Sequence, residues 1–238
     1  MFIAFLTTNK MNSKNISYEE LCSLIDHTFL KPFGTEADIE SLCEEAAEYQ
    51  FAMVAINPAE VETCVKLLKG TGVRTGAAIG FPLGQNTSEV KAFEIMDSIK
   101  KGATEIDMVI NVRALQKGQF DLVRKEIKAM VEICKPAGII SKVILETCYL
   151  TDDQKRVVCQ MASEAGVDFV KTSTGFGTAG ATVEDIRLMR SVVGPEMGVK
   201  ASGSVRDLNT ALAMIDAGAT RIGTSSGVKI VTEFKNSR

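Results

Sequence analysis

The chain has 238 residues, of which 45% are apolar and 24% charged, and its formal net charge is -3 at pH 7. This composition is ordinary for a globular protein and excludes long disordered or collagen-like regions. The slight acidity argues against nucleic acid as a partner, because a nucleic-acid surface requires a basic stripe. Six cysteines without a C-x-x-C pair, together with one histidine, indicate neither a zinc site nor a disulfide framework.

The first six residues, MFIAFL, are apolar, but no basic region precedes them and the polar TTNK follows at once. This pattern fits neither a signal peptide nor a membrane span. We therefore expect residues 1–15 to be an accessory extension and residues 16–238 to form the folded domain. With reduced thiols and no membrane partner, the protein is expected to be cytoplasmic.

Short apolar runs rich in β-branched residues alternate with longer segments of helical period. They predict strands near residues 24–28, 51–57, 73–81, 105–111, 142–147, 168–172, 198–202 and 220–224. Helix starts are predicted by the capping boxes Ser17-x-x-Glu20 and Thr151-x-x-Gln154 and by the related Thr182-x-x-Asp185. Eight β/α units without a linker favour an α/β fold of one domain, a closed (β/α)8 TIM barrel, over a doubly wound open sheet.

A weak internal repeat supports this order of elements. The segments KGATEIDMVI, AGVDFVKTS and AGATRIGTS each contain a glycine that ends a helix, a short link and an apolar strand. Asp107, Lys171 and Gly223 each lie five residues after such a glycine. We expect these three positions to lie at one level of the sheet.

Charged residues interrupt the apolar strands at Asp107, Lys142, Lys171 and Lys200. A charged side chain is costly to bury unless it is paired. Lys142 lies near the predicted start of its strand, where an outward side chain that reaches solvent is an equally good interpretation. Helices cover the outer face of a barrel strand, so we expect Lys171 and Lys200 to point into the barrel.

Lys171 and Lys200 lie on consecutive predicted strands, about 4.8 Å apart. Two ammonium groups at this distance repel, and desolvation acts in the same direction, so one of them should release its proton readily. A neutral lysine amine attacks an aldehyde or ketone to form a Schiff base, and Asp107 could move the proton that carbon–carbon chemistry requires. These residues predict imine chemistry without a metal or cofactor, and either lysine could be the nucleophile.

The loops after the seventh and eighth strands, KASGSVRD and IGTSSGVK, carry glycine and serine next to predicted helix starts. Loops at this place are the recurrent phosphate site of the barrel fold. The predicted phosphate-binding residues are Gly203, Ser204, Gly223 and Ser225. Two ordinary helix caps are the alternative.

Gly175, Gly177 and Gly180 spell G-x-G-x-x-G, a pattern that binds dinucleotides in the right context. Such a site requires an acidic residue about 20 positions later, at the end of the next strand. Lys200 occupies that position. We therefore predict that this loop does not bind NAD and that Gly175 is a loop glycine beside the substrate.

Seven segments in order resemble the deoxyribose-phosphate aldolase family: IDHTFLKP, IGFPLGQNTSEVK, EIDMVINV, KVILETCYL, DFVKTSTGFG, GVKASGSVR and ATRIGTSSG. They span nearly the whole chain from about residue 17 onward. The resemblance implies a class I aldolase on a (β/α)8 barrel, without cofactor. Its implied reaction is reversible cleavage of the sugar phosphate 2-deoxy-D-ribose 5-phosphate to acetaldehyde and D-glyceraldehyde 3-phosphate. We also expect a homo-oligomer, either a dimer or a tetramer.

Matched by motif, the resemblance implies that Lys171 of VKTSTG forms the Schiff base. It implies that Lys200 of VKAS assists Lys171 and that Asp107 of EIDMVIN moves the proton through water. The predicted substrate-binding residues are Asp26, Thr28, Lys142, Thr172 and Gly175.

One departure from the family concerns the phosphate loop. Relatives usually read SGGIR or SGGVR where this chain has SGSVR at 202–206. If the third position requires a positive φ, Ser204 strains the loop by about 1 kcal/mol. Two other functions are compatible with the sequence: a transaldolase-like Schiff-base barrel acting on another sugar phosphate, and a non-catalytic barrel that binds sugar phosphates.

Overall fold

The computed structural model describes residues 12–238. Within this range strands and helices alternate as the sequence predicts. Their bounds are α1 (Tyr18–Ser23), β1 (Ile25–Phe29), α2 (Glu36–Glu48), β2 (Met53–Ile56), α3 (Val61–Leu67), β3 (Arg74–Ile79), α4 (Ser88–Lys100), β4 (Glu105–Val109), α5 (Val112–Gln116), α6 (Phe120–Cys134), β5 (Ile140–Ile144), α7 (Asp152–Ala165), β6 (Phe169–Lys171), α8 (Val183–Val193), β7 (Gly198–Ser202), α9 (Leu208–Ala217), β8 (Arg221–Thr224) and α10 (Gly227–Asn236).

The strands form a closed parallel barrel in chain order, with β8 hydrogen-bonded to β1. Helices surround it, and the main apolar core lies between the two layers, where outward-facing strand residues such as Val54, Ile106 and Val170 are fully buried. The predicted single-domain (β/α)8 TIM barrel is confirmed. In this fold the carboxyl ends of the strands and the loops that follow them carry functional groups.

Helix starts follow the predicted capping patterns. Ser17 and Thr151 each accept a hydrogen bond from the backbone amide three residues later, and the side chains of Glu20 and Gln154 bond back to the cap, which completes both capping boxes. The Thr182 hydroxyl accepts from the next turn in the same way. These bonds satisfy amides that have no partner within the helix.

The fifth strand differs most from its prediction. It begins at Ile140, two residues earlier than predicted, because Ile140 and Ser141 pair with β4. It ends at Ile144, since Glu146 takes a left-handed backbone conformation (φ 57°) and a 3₁₀ turn begins at Thr147. Lys142 therefore lies in the middle of β5 rather than at its start.

The expected common level of Asp107, Lys171 and Gly223 is confirmed by the register of the strands. Asp107 pairs with Lys142 on the neighbouring strand, and Lys142 pairs with Phe169, two residues before Lys171. Lys171 pairs with Lys200, and Gly223 pairs with Ser202, two residues after Lys200 on β7. Strands in a closed (β/α)8 barrel are tilted, and their register shifts by about one residue per strand. A position two residues further along on every second strand therefore lies at the same height, so Asp107, Lys171 and Gly223 belong to one interior layer contributed by alternate strands.

Most of the predicted N-terminal extension lies outside the described residues, and its boundary at residue 15 stays a prediction. Within the described part, Ser13 donates from its amide and its hydroxyl to the carboxylate of Asp216 near the end of α9, at 2.8 and 2.6 Å. Among residues 12–238, no helix is long and apolar enough to cross a membrane.

Candidate active site

Three lysines from consecutive strands point into the barrel and surround one carboxylate. Asp107 on β4 accepts from Lys142 at 2.8 Å, from Lys171 at 2.7 Å and from Lys200 at 2.7 Å. Lys171 and Lys200 are paired neighbours on β6 and β7, as their order in the chain predicts. All four side chains are buried. The outward interpretation of Lys142 is therefore wrong.

A deeper layer of charge supports these residues. Asp26 on β1 forms ion pairs with Lys200 at 2.5 Å and with Arg221 at 2.7 Å. Glu105, two residues before Asp107 on β4, pairs with Lys142 and also lies 3.5 Å from Arg221. These contacts leave every carboxylate with at least two cationic neighbours.

The balance of charge in this cluster is uneven. Among the described residues it joins three carboxylates to four cations: Asp26, Glu105 and Asp107 with Lys142, Lys171, Lys200 and Arg221. The cluster therefore carries one excess positive charge. Two groups at its periphery, Arg74 and Glu146, have opposite charges and do not change this excess. A buried cluster is most stable near neutrality, so one proton is held weakly.

Lys171 is the cation that the cluster holds least well. Burial lowers its pKa, and the nearby Lys200 and Lys142 ammonium groups act in the same direction; contact with Asp107 opposes them only in part, and the pKa falls from its ordinary 10.5 to about 8. Lys142 behaves in the opposite way, because Asp107 and Glu105 outweigh its burial and raise its pKa. About a tenth of Lys171 is therefore the free amine at pH 7, several hundred times the fraction in an ordinary lysine.

This shift predicts a pH dependence of stability. The unfolded chain keeps the Lys171 proton up to about pH 10.5, whereas the folded chain releases it near pH 8. Lys171 thus destabilises the fold below pH 8, and this penalty, up to about 3 kcal/mol, is relieved as the pH rises from 8 to 10.5. Urea unfolding of the wild type and of Lys171→Leu should show the wild type gaining relative stability over that interval. A constant difference between the two proteins would contradict the shift.

Asp107 remains ionised throughout the working range. Its burial alone would raise its pKa, but the Lys142, Lys171 and Lys200 ammonium groups hold it well below the usual range of a carboxyl group. A permanently charged carboxylate can order a water molecule and exchange protons through it.

Above this cluster lies an open cavity of about 410 Å³ at the carboxyl ends of the strands, a volume suited to a small metabolite. Lys171 lines it from below, whereas Lys200 and Asp107 lie beneath. The residues predicted to bind phosphate all line the same cavity, and they are Gly203, Ser204, Gly223 and Ser225. The structure therefore brings the lysine and both predicted phosphate loops to one place.

Gly223 has a second role in this arrangement. It lies within β8, and a side-chain Cβ at this position would come within 2.9 Å of the Lys200 Cε and the Ser202 Cβ. The absence of a side chain therefore makes room for the Lys200 ammonium to reach Asp107 and Asp26.

Ser204 occupies the conformation that favours glycine. Its φ is 65°, so the condition under which it strains the loop is met. The preceding Gly203 also has a positive φ, of 73°. The left-handed conformation costs a non-glycine residue about 1 kcal/mol or more.

Ser204→Gly is therefore expected to raise the free energy of unfolding by up to about 1 kcal/mol, reduced in part by the greater freedom of glycine in the unfolded chain. Ser204→Ala is the matched control, since it removes the hydroxyl but keeps the Cβ and the strain. Urea denaturation should place the alanine variant at or below the wild type. Equal stabilisation by alanine and glycine would contradict the strain.

The predicted substrate-binding residues separate into three groups. Thr28 and Gly175 line the cavity. Asp26 and Lys142 are fully buried beneath it and contact Lys200 and Asp107 rather than the open space. Thr172 points away from the cavity: its hydroxyl donates to the Ser202 carbonyl at 3.0 Å and accepts from the Ser202 amide at 3.1 Å, which joins the ends of β6 and β7.

The glycines of the G-x-G-x-x-G segment allow the loop after β6 to pack closely against neighbouring loops. Gly175 has a φ of 88°. A Cβ on Gly180 would collide with the Gly203 carbonyl group, so glycine is required for the β6 loop to approach the β7 loop. The adjacent Ala181 amide donates to the Ser202 and Gly203 carbonyls. A Cβ on Gly177 would instead come within 2.7 Å of the Cys148 Sγ, so the pattern reflects close packing of the β6 loop against its neighbours.

Sequence reasoning missed Glu105, Arg221 and Glu146. Glu105 and Arg221 each lie two residues before a recognised interior position on the same strand, so the period of two in a strand could have identified both. Glu146 gave no comparable signal. Its carboxylate accepts from the Thr174 amide at 3.1 Å and from the Thr174 hydroxyl, which ties the β6 loop to the end of β5.

Comparison with known proteins places the chain among enzymes of this fold. The family model "DeoC/LacD family aldolase" matches residues 21–233. A protein of Bacteroides thetaiotaomicron named deoxyribose-phosphate aldolase is 74% identical over 221 residues, which cover 93% of each chain. One of Caldanaerobacter subterraneus with the same name is 54% identical over 226 residues, covering 94% of this chain and 98% of the relative.

Solved structures agree with the sequence comparison. The tetrameric deoxyribose phosphate aldolase from Aeropyrum pernix superimposes with a TM-score of 0.87 at 37% identity, and the match covers 93% of this chain and 94% of that one. The fold and these relatives define an aldolase, a carbon–carbon lyase. The chain belongs to the DeoC/LacD family of aldolases.

Proposed function

We propose that this aldolase reversibly cleaves 2-deoxy-D-ribose 5-phosphate into D-glyceraldehyde 3-phosphate and acetaldehyde through a Schiff base on Lys171. The observation that carries the proposal is the position of Lys171: it lines the cavity, and its pKa is lowered to about 8. The names of the relatives support the choice of substrate.

Lys171 rather than Lys200 is the proposed nucleophile. Lys200 is fully buried and held by two carboxylates, those of Asp26 and Asp107. Among the described residues, Lys171 forms its ion pair with Asp107 and lines the open cavity. A lysine that is less well compensated and accessible is the better nucleophile. The neighbouring Lys200 ammonium lowers the pKa of Lys171 and so favours the neutral form of Lys171.

The reaction begins with addition of the Lys171 amine to the C1 aldehyde of the open-chain sugar. Loss of water gives a protonated imine. A base then removes the proton of the C3 hydroxyl, the C2–C3 bond breaks, and its electron pair moves into the imine. D-glyceraldehyde 3-phosphate leaves, and the enamine of acetaldehyde remains on Lys171.

Asp107 is the group proposed to move protons in these steps. It lies 2.7 Å from the Lys171 amine, and three ammonium groups keep it ionised. Through an ordered water it can accept the hydroxyl proton and return a proton to C2 of the enamine. Hydrolysis of the resulting imine releases acetaldehyde and restores the amine.

The phosphate end of the substrate is proposed to bind at the β7 and β8 loops. Gly203, Ser204, Gly223 and Ser225 all line this part of the cavity wall. Binding energy gained at the phosphate would hold the reacting carbons over Lys171 and so contribute to catalysis as orientation.

Direct assay of the products tests the proposed substrate. Purified protein with deoxyribose 5-phosphate should release glyceraldehyde 3-phosphate and acetaldehyde in equal amounts. Deoxyribose without phosphate should show a much higher KM, and fructose 6-phosphate should not be turned over. Preferential cleavage of fructose 6-phosphate would instead support the transaldolase-like alternative, and binding of the sugar phosphate without cleavage would support the non-catalytic one.

We infer further that the barrel acts in the cytoplasm as a homo-oligomer, a dimer or a tetramer. The Aeropyrum pernix relative, whose structure is tetrameric, supports this inference. Light scattering on the full chain at several concentrations measures the state directly, and a monomer at every concentration would contradict the inference.

A further inference from the structure

Arg221 lies below the cavity, at the bottom of the charged cluster. It is buried on β8 and paired in register with Lys200, and its guanidinium lies 2.7 Å from Asp26, 3.5 Å from Glu105 and 5.2 Å from the centre of the Phe169 ring. The substrate cavity does not include it. The reaction steps therefore leave a buried, permanently charged arginine without a function.

Arg221 is the source of the excess positive charge in the cluster. With it, the cluster among the described residues has one cation more than carboxylates; without it, the three carboxylates match the three lysines. In that balanced cluster every ammonium group has a carboxylate to neutralise it, and Lys171 has less reason to release its proton.

We propose that Arg221 is a positioning residue whose fixed positive charge, acting through Asp26 and Glu105, makes Lys171 the surplus cation of the cluster. This proposal rests on the proposed role of Lys171. Arginine suits the task because its guanidinium stays charged when buried, whereas a lysine could lose its proton in place of Lys171.

The groups that act on Lys171 come from several strands. Asp107 contacts it from β4, Lys142 and Glu146 lie on or just after β5, and Lys200 lies on β7. Arg221 reaches this set from β8, through its contacts with Asp26 and Glu105. Removal of the Arg221 charge is therefore expected to change the electrostatic environment of Lys171 without altering any residue that touches substrate.

Four variants test the proposal. Arg221→Met removes the charge and is expected to make Lys171 harder to deprotonate, with about a tenfold lower amine fraction at pH 7. Glu105→Gln removes a carboxylate and should act in the opposite direction. The double variant should return towards the wild type, and Arg221→Lys, which keeps a charge, should lie between the wild type and Arg221→Met.

The readout is the pH dependence of Lys171 acetylation by a trace of acetic anhydride, mapped by mass spectrometry. It needs no substrate, so it remains valid if the proposed function fails; the pH profile of kcat/KM for deoxyribose 5-phosphate gives a second, dependent measurement. A purely structural role predicts that Arg221→Met and Glu105→Gln shift the profile alike or not at all, and either result would overturn the proposal. If Arg221→Met does not fold, Glu105→Gln and Arg221→Lys still decide it.

Discussion

Lys171→Leu is expected to abolish aldolase turnover while the barrel remains folded. Without the amine no Schiff base forms, and loss of a covalent nucleophile typically costs at least about 10⁴-fold in kcat. The fold should tolerate the change, because Lys171 is the surplus cation and its removal leaves three carboxylates facing three cations. At pH 7 the variant should unfold at a higher urea concentration than the wild type, since a poorly compensated buried charge is removed.

A second buried lysine provides the control. Lys91 on α4 forms one ion pair, with Glu126 on α6 at 2.8 Å, and both side chains are almost completely buried. Lys91→Leu removes the ammonium group paired with the buried Glu126 carboxylate, which keeps only a long hydrogen bond of 3.4 Å from the Ser88 hydroxyl among the described residues. We therefore expect a loss of about 3–5 kcal/mol in the free energy of unfolding. The two substitutions are the same in chemistry and opposite in expected effect. Residual turnover near wild type in Lys171→Leu would refute the role of this lysine.

Asp107→Asn is expected to damage both catalysis and stability. The amide cannot serve as the proton acceptor, so kcat/KM should fall by about 10²–10⁴-fold. The substitution also leaves four cations facing two carboxylates, with Lys171 deprived of its closest partner. We expect the free energy of unfolding at pH 7 to fall by about 3–5 kcal/mol, as when one member of a buried ion pair is removed.

Urea unfolding and steady-state kinetics measure these two losses separately. Asp121→Asn is the matched control: its carboxylate is exposed and lies 3.4 Å from Arg124, so its replacement should change stability by less than about 0.5 kcal/mol. If Asp107→Asn retained wild-type kcat/KM, another group would have to move the proton.

The barrel and the adjacency of its interior lysines Lys171 and Lys200 were predictable from the sequence. Alternating apolar runs and capping patterns are local signals, and the order of strands in a parallel barrel follows the chain. Lys171 and Lys200 could therefore be placed on neighbouring strands from the sequence alone. The bounds of β7 were predicted correctly as Gly198–Ser202.

The parts that could not be predicted depend on register and on burial. The start of β5 is determined by pairing with β4. Because the predicted start lay two residues too late, the direction of the Lys142 side chain was ambiguous. Asp26 and Lys142 resemble pocket residues by motif, yet the stagger of the barrel places them beneath the cavity. The positive φ of Ser204 is likewise a property of the folded loop, which composition does not reveal.

Reductive trapping tests whether Lys171 forms the Schiff base. The purified protein is incubated with acetaldehyde, reduced with borohydride, digested and mapped by mass spectrometry. We expect a two-carbon adduct on Lys171 in the wild type and its loss in Lys171→Leu. An adduct confined to Lys200, or no adduct in folded protein, would contradict this role of Lys171.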